Sequence, residues 1–258
     1  MSKKNIVIVG FPKSGTTWAS RLIAELIKCP LNGDWGYENI TSLYEEGEER
    51  ISQYQCYKSH HTYDEIKKVS PLKIHKIIYV IRDPRDIVIS GIHYFNFTIS
   101  YFPFIKLLRI KMINHFLKKV LNKLMPKKTK KKLMNEALLH GGKDVNYWLK
   151  TPWKEHYKKY FGKEILFVKY EDLLESPEIE CNQILDYLQI ESTSEHIKES
   201  INKQSFQKRK QEVSNKNNSS LKKLIRNGSQ GYWKKEFTDR EIALFKKELK
   251  DCNPFYQL

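Results

Sequence analysis

No apolar run in this chain approaches the roughly 18 residues that a membrane span needs; the stretch Ile77 to Ile81, for example, ends at once in Arg82. The apolar stretch after Lys3 and Lys4 reaches only Phe11 before Pro12 stops it, too short for a secretory leader, so a cytoplasmic protein is expected. Cysteine is scarce: Cys29, Cys56, Cys181 and Cys252 are scattered and form no C-x-x-C pair, which argues against both a zinc site and a disulfide framework and fits a reducing compartment. No cluster of metal ligands is visible, and no metal is expected. Acid is missing from one long segment. Between Ile87 and Asn135 there is no Asp or Glu, while Lys106, Arg109, Lys111, Lys118, Lys119, Lys123, Lys127, Lys128, Lys130, Lys131 and Lys132 all carry positive charge. Most of the net charge of +16 is concentrated there, and such a patch attracts anionic partners.

What is present is 258 residues, 40% of them apolar, enough for one large α/β domain with a sizeable core. A single domain over 1–258 is expected. Its opening Ile6-Val7-Ile8-Val9 reads as a buried strand, followed by Gly10-Phe11-Pro12-Lys13-Ser14-Gly15-Thr16-Thr17-Trp18 and a helix over 16–28. A lysine, two hydroxyls and the open N–H groups of a helix start therefore converge where a phosphate or sulfate can sit. Because Lys13 precedes Gly15 instead of following it, the stretch is not the G-x-x-x-x-G-K-[ST] nucleotide loop.

Residues 31–50 are polar and read as a loop. Tyr54 to Lys58 resembles a short strand that delivers Ser59, His60 and His61 to its C-terminal end, where open α/β sheets place ligands. Lys76 to Ile81 is a strong strand ending abruptly in Arg82-Asp83-Pro84-Arg85-Asp86, with a helix expected over 87–95 that carries Ser90. A fourth strand, Ile165 to Lys169, runs into Tyr170. Four such strands separated by helical segments predict a parallel sheet covered on both faces.

From Tyr101 to Met125, Ile105, Leu108, Met112, Phe116, Val120 and Leu124 recur at three- and four-residue spacing among basic residues. The spacing predicts a basic amphipathic helix or helix pair running into the lysines of 127–132. Two readings fit it: a core-facing helix with a solvated lysine face, or a surface that lies on anionic membrane. No recognised nucleic-acid motif accompanies the charge, so no nucleic-acid partner is expected. Residues 176–203 read as helical and 207–220 as a mobile loop. Thr238 and Glu241 form a capping box that opens a final helix over 239–250.

The Pro12–Trp18 loop, the Arg82 and Ser90 pair, and the late Arg226-Asn227-Gly228 and Gly231-Tyr232-Trp233 segment together resemble the cytosolic-type sulfotransferases. These use 3′-phosphoadenosine 5′-phosphosulfate (PAPS) as donor, and the likeness covers about residues 6 to 238. It implies a three-layer α/β fold with a central parallel sheet of the P-loop NTPase-like type. It also implies that Lys13, Ser14, Gly15, Thr16 and Thr17 hold the 5′-phosphosulfate, with Lys13 at the bridging oxygen. Trp18, with Phe206 opposite, would stack on the adenine and Tyr170 hydrogen-bond to it. Arg82 and Ser90, helped by Arg226, Asn227 and Gly228, would grip the 3′-phosphate. Lys58-Ser59-His60 stands where the family has Lys-Thr-His, which implies His60 as catalytic base and lets Lys58 share charge stabilisation with Lys13.

The chemistry fits these roles. Sulfuryl transfer needs the acceptor proton removed, the leaving phosphate's charge neutralised and the two oxygens held in line, tasks suited to a histidine, a lysine and a helix N-terminus. Two positions depart from the family pattern. Asn227 replaces a lysine, and Tyr232 replaces an aspartate that could anchor the late segment. Residues 93–157 are read as an inserted, basic, acceptor-side region. Its Tyr94, Phe95, Phe97, Tyr101, Phe102, Tyr147, Trp148 and Trp153 suit an acceptor of aromatic, lipid or sugar character, such as a glycan or glycolipid at the inner membrane surface. Residues 207–234 are read as a mobile cofactor-covering loop. The rival readings are a P-loop-type nucleotide kinase and a non-catalytic basic protein; the oligomeric state is left open.

Overall fold

The computed structural model describes residues 3–37, 45–102, 111–215 and 230–250. They group into two compact units, the first drawn from 1–82 and 159–229 and the second from 83–158 and 230–258. The first unit holds a five-stranded, all-parallel sheet in the order β2-β3-β1-β4-β5. Its strands are β1 Lys4–Val9, β2 Leu31–Asp34, β3 Tyr54–Ser59, β4 Ile74–Ile81 and β5 Leu166–Lys169. The expected parallel sheet with both faces covered is present. The unbroken apolar run of β1 follows from its central position, where successive side chains meet a packed layer on either side.

One layer is aliphatic. Ile6, Ile8, Cys56, Ile78, Val80 and Val168 pack with Leu22, Ile23 and Leu26 of the helix Thr16–Leu26 and with Ile184, Leu185 and Leu188 of the helix Pro177–Leu188. The opposite layer is aromatic: the Tyr79 ring centroid lies 4.9 Å from Tyr160 and 5.2 Å from Phe167, and Trp35 lies 5.1 Å from Tyr57. Two of the scattered cysteines meet in the aliphatic layer. Cys29 and Cys56 are fully buried with sulfurs 3.4 Å apart, and burial pushes the Cys56 thiol well above its usual pKa, which keeps it protonated.

Two expectations are corrected here. β2 lies in the stretch read as a loop, because Leu-Asn-Gly-Asp has turn composition and only Leu31 is apolar. Its order comes from pairing with β3, Leu31 opposite Cys56 and Asp34 opposite Lys58. Likewise, Phe206–Asn215 is a helix where a mobile loop was expected from 207. Its Gln, Lys and Arg residues are good helix formers, and Arg209 ties it to Glu46, which also pairs with Arg21 at 2.9 Å. Of the rest of the 207–234 stretch read as mobile, 216–229 lie outside the described residues, and 230–234 run into the 3-10 helix Tyr232–Lys235.

In the second unit the helix Pro84–Tyr94 starts three residues earlier than expected. Pro84 sits in its first turn, and the Asp83 carboxylate accepts the Arg85 N–H at 2.8 Å as a cap. Gly91 lets the helix Lys127–His140 pack close, since a Cβ there would stand 2.7 Å from the Met134 sulfur. The basic amphipathic segment forms the helix Lys111–Leu124, broken from Lys127–His140 by Pro126; residues 103–110 lie outside the described residues. The final helix, Asp239–Glu248, carries the expected Thr238–Glu241 capping box. Glu241 also accepts from Lys131 Nζ at 2.8 Å, which holds its carboxyl below the usual pKa against the opposing pull of burial.

Candidate active site

The turn after β1 is tight at its first residue. A Cβ on Gly10 would stand 2.6 Å from the Thr16 hydroxyl and 2.7 Å from the Val80 carbonyl oxygen. Lys13 then adopts the left-handed region at φ 73, a conformation that a lysine reaches only against strain. The Arg82 guanidinium at the end of β4 donates from Nη1 to the Lys13 carbonyl at 3.1 Å, holding the strained residue in place. The same guanidinium lies over the Tyr170 ring, 4.3 Å from its centroid. Gly15, at φ 86, is the other constraint: a Cβ there would be 2.3 Å from the Tyr170 ring. Arg82, Tyr170 and the loop therefore form one packed assembly within the first unit.

Two hydroxyls in this loop, Ser14 Oγ and Thr16 Oγ1, are buried and have no hydrogen-bond partner among the described residues. Buried donors left unpaired cost free energy unless a ligand takes them. With the N–H groups of the Thr16–Leu26 helix start, they fit a phosphosulfate group. Thr17 is half-buried beside them. Trp18 donates from its indole N–H to the Gln204 carbonyl at 2.8 Å and meets Tyr170 edge-on at 5.7 Å. That bond brings Trp18 to the segment leading into Phe206, itself half-buried at the start of the Phe206–Asn215 helix.

The two histidines after β3 have different surroundings. His60 is half-buried, and its Nδ1 lies 2.7 Å from the Gly10 carbonyl oxygen. A carbonyl only accepts, so Nδ1 carries the proton and Nε2 is the basic nitrogen. His61 is buried; its Nδ1 sits 3.0 Å from Ser59 Oγ, and its carbonyl accepts from the Tyr160 hydroxyl at 2.7 Å. Lys58 is buried, with Nζ 3.1 Å from Asp34. Burial lowers its pKa and the Asp34 carboxylate opposes that shift.

Ser90 belongs to the second unit, half-buried on the Pro84–Tyr94 helix. Arg226, Asn227 and Gly228 lie outside the described residues. The second unit also holds an anchor that sequence reasoning missed. Asp86 accepts the N–H groups of Gly231 at 2.6 Å and Trp233 at 3.0 Å, and Arg85, bound to Asp83, stacks 3.6 Å from the Trp233 ring. Tyr232 stands where the resembled family has an aspartate, and in this chain a carboxylate on the helix, Asp86, binds the segment. Nothing in the spacing of 86 and 231 announces this. Asp86→Ala removes two charge-assisted bonds of roughly 1.5–3 kcal/mol each. It is expected to lower the thermal midpoint by several degrees, at about 2–4 °C per kcal/mol for this size, and to open 230–235 to limited proteolysis. An unchanged midpoint and cleavage pattern would show that the two bonds carry nothing.

The family description "Sulfotransferase domain" matches residues 3–251. Mouse sulfotransferase 1E1 is 24% identical over 285 residues, covering 98% of this chain and 86% of the relative. Among solved structures, mouse sulfotransferase SULT7A1 complexed with PAP aligns with a TM-score of 0.64 at 21% identity, over 97% of this chain and 85% of its own. Retinol dehydratase in complex with androsterone and inactive cofactor PAP aligns equally, at a TM-score of 0.64 and 18% identity, over 100% of this chain and 83% of its own.

Proposed function

Because the chain belongs to the sulfotransferase domain family, we propose that it moves a sulfuryl group from PAPS to a hydroxyl or amine acceptor. The observation that carries this reading is the bond between His60 Nδ1 and the Gly10 carbonyl, which fastens a base to the first residue of an anion loop. The buried, unpartnered hydroxyls of Ser14 and Thr16 support a sulfated donor in that loop. When bound, PAPS supplies the sulfuryl group and a phosphate leaving group.

His60 Nε2 takes the acceptor proton. Lys13, the helix N-terminus and the two hydroxyls neutralise charge on the donor side. Lys58, held on Asp34, adds positive potential at the end of β3. Gly15 and Thr17 complete the loop, Trp18 and Phe206 take the adenine and Tyr170 hydrogen-bonds to it. Arg82 is the 3′-phosphate ligand on this reading, and Ser90, Arg226, Asn227 and Gly228 are the other residues to which the family resemblance gives that role. We read the two units as one functional domain, since the family match runs through both.

For the acceptor we propose a molecule with an apolar or sugar-ring face, such as a lipid-linked glycan or glycolipid. The exposed rings of Tyr94, Tyr101 and Tyr147 support such a face, and a solved structure of this fold that holds androsterone supports its apolar character alone. The test is calorimetric titration with PAPS and with ATP, followed by incubation with PAPS and a cell extract. PAPS should bind much more tightly than ATP, and mass spectrometry should find products heavier by one SO3 unit. No PAPS binding and no such product would overturn the assignment.

A further inference from the structure

The helix Lys111–Leu124 faces outward in an unusual way. Its Phe116, Val120 and Leu124 are 70%, 36% and 73% exposed, and their four-residue spacing lines them up as one stripe. The side turned toward the rest of the second unit holds a separate apolar set, half-buried Leu117 and Leu121 and buried Met125, together with polar contacts. Asn122 Oδ1 accepts the Phe97 N–H at 2.8 Å, and the Lys118 carbonyl accepts from the Thr98 hydroxyl at 2.8 Å. A surface helix ordinarily buries its apolar stripe and exposes its charges. This one exposes both together, for Lys119 and Lys123 stand on the same exposed side and Lys128 and Lys132 follow just beyond Pro126. The expectation of a core-facing stripe is not met by Phe116, Val120 and Leu124.

We infer that this outer face docks on an anionic phospholipid surface. The apolar stripe needs hydrocarbon and the lysines need phosphate within a side chain's reach, and the interface of an anionic bilayer offers both at once. A second copy of the chain would bring the same lysines against these, with no Asp or Glu between 87 and 135 to offset them. Two nearby lysines already have acidic partners, Lys127 on Glu236 and Lys131 on Glu241, so the lipid-facing charge is that of 119, 123, 128 and 132. No helix among the described residues is long and apolar enough to cross a membrane, which leaves this one to lie along the surface.

The inference rests on no part of the sulfuryl-transfer reading. Its test is co-sedimentation of the full chain with phosphatidylcholine vesicles, with and without phosphatidylserine. The chain should pellet with the phosphatidylserine vesicles at least about tenfold more tightly than with the neutral ones. F116S/L124S should lose that binding while keeping the wild-type circular dichroism spectrum and PAPS affinity. K119Q/K123Q/K128Q/K132Q should lose the preference for phosphatidylserine. Equal pelleting with both vesicle types, or F116S/L124S binding like wild type, would overturn the proposal. So would a wild-type chain that binds neither and instead self-associates through this face. Absent PAPS binding by the wild-type chain would sink the enzymatic reading and leave the docking result standing.

Discussion

His60→Gln is expected to lower turnover by roughly 10²–10⁴-fold while leaving PAPS affinity within about twofold, the signature of a lost general base. We propose this histidine and not its neighbour because the two have different surroundings. His60 uses Nδ1 to donate to the Gly10 carbonyl, which commits Nε2 to the basic form, whereas His61 is buried and bound through both its ring and its carbonyl. His61→Gln should therefore act on stability, with kcat within about tenfold of wild type. Steady-state rates at saturating PAPS, paired with calorimetric donor affinity, separate the two. If His60→Gln loses less than tenfold, or loses donor affinity in proportion, the base is elsewhere.

Lys13→Met is expected to cost roughly 10²–10³-fold in kcat, the usual effect of removing one preorganised charge stabiliser, and to weaken donor binding as well. The backbone at Lys13 makes a sharper control available. Its φ of 73 suits glycine, so Lys13→Gly relieves the strain and removes the same ammonium. Both variants should be comparably slow. Recovery of transfer in Lys13→Gly would mean that the loop conformation matters and the charge does not. Lys13→Arg keeps the charge on a broader, forked head, and an intermediate rate is expected for it.

The sheet and the loop were legible because they depend on local pattern. The run Ile6 to Val9 could only be a buried strand, and Thr238 with Glu241 marked a helix start that is present. Features set by distant partners were not legible. β2 is ordered by pairing with β3, and its own residues spell a turn. The helix at Phe206 was hidden because residues that favour helix also favour disorder when nothing apolar marks a face. Cys29 and Cys56 looked scattered and are 3.4 Å apart, since sequence distance says nothing about neighbours across an α/β crossover. Periodicity found the stripe of Phe116, Val120 and Leu124 but could not say which way it points, because that depends on what Asn122 binds. Asp86 was invisible for the same reason: its partners are backbone N–H groups, which every sequence contains.

The bond between His60 and Gly10 runs to a main-chain oxygen, on a residue with no room for a side chain. Substitutions in the loop therefore have little means of retuning the distance from proton acceptor to donor. With His60 as the proposed base, the alignment of the reacting groups comes with the backbone, and changes in what is sulfated have to come from elsewhere in the chain. On this reading the acceptor taken by this chain can change without disturbing the chemistry, provided that Gly10 and His60 stay as they are.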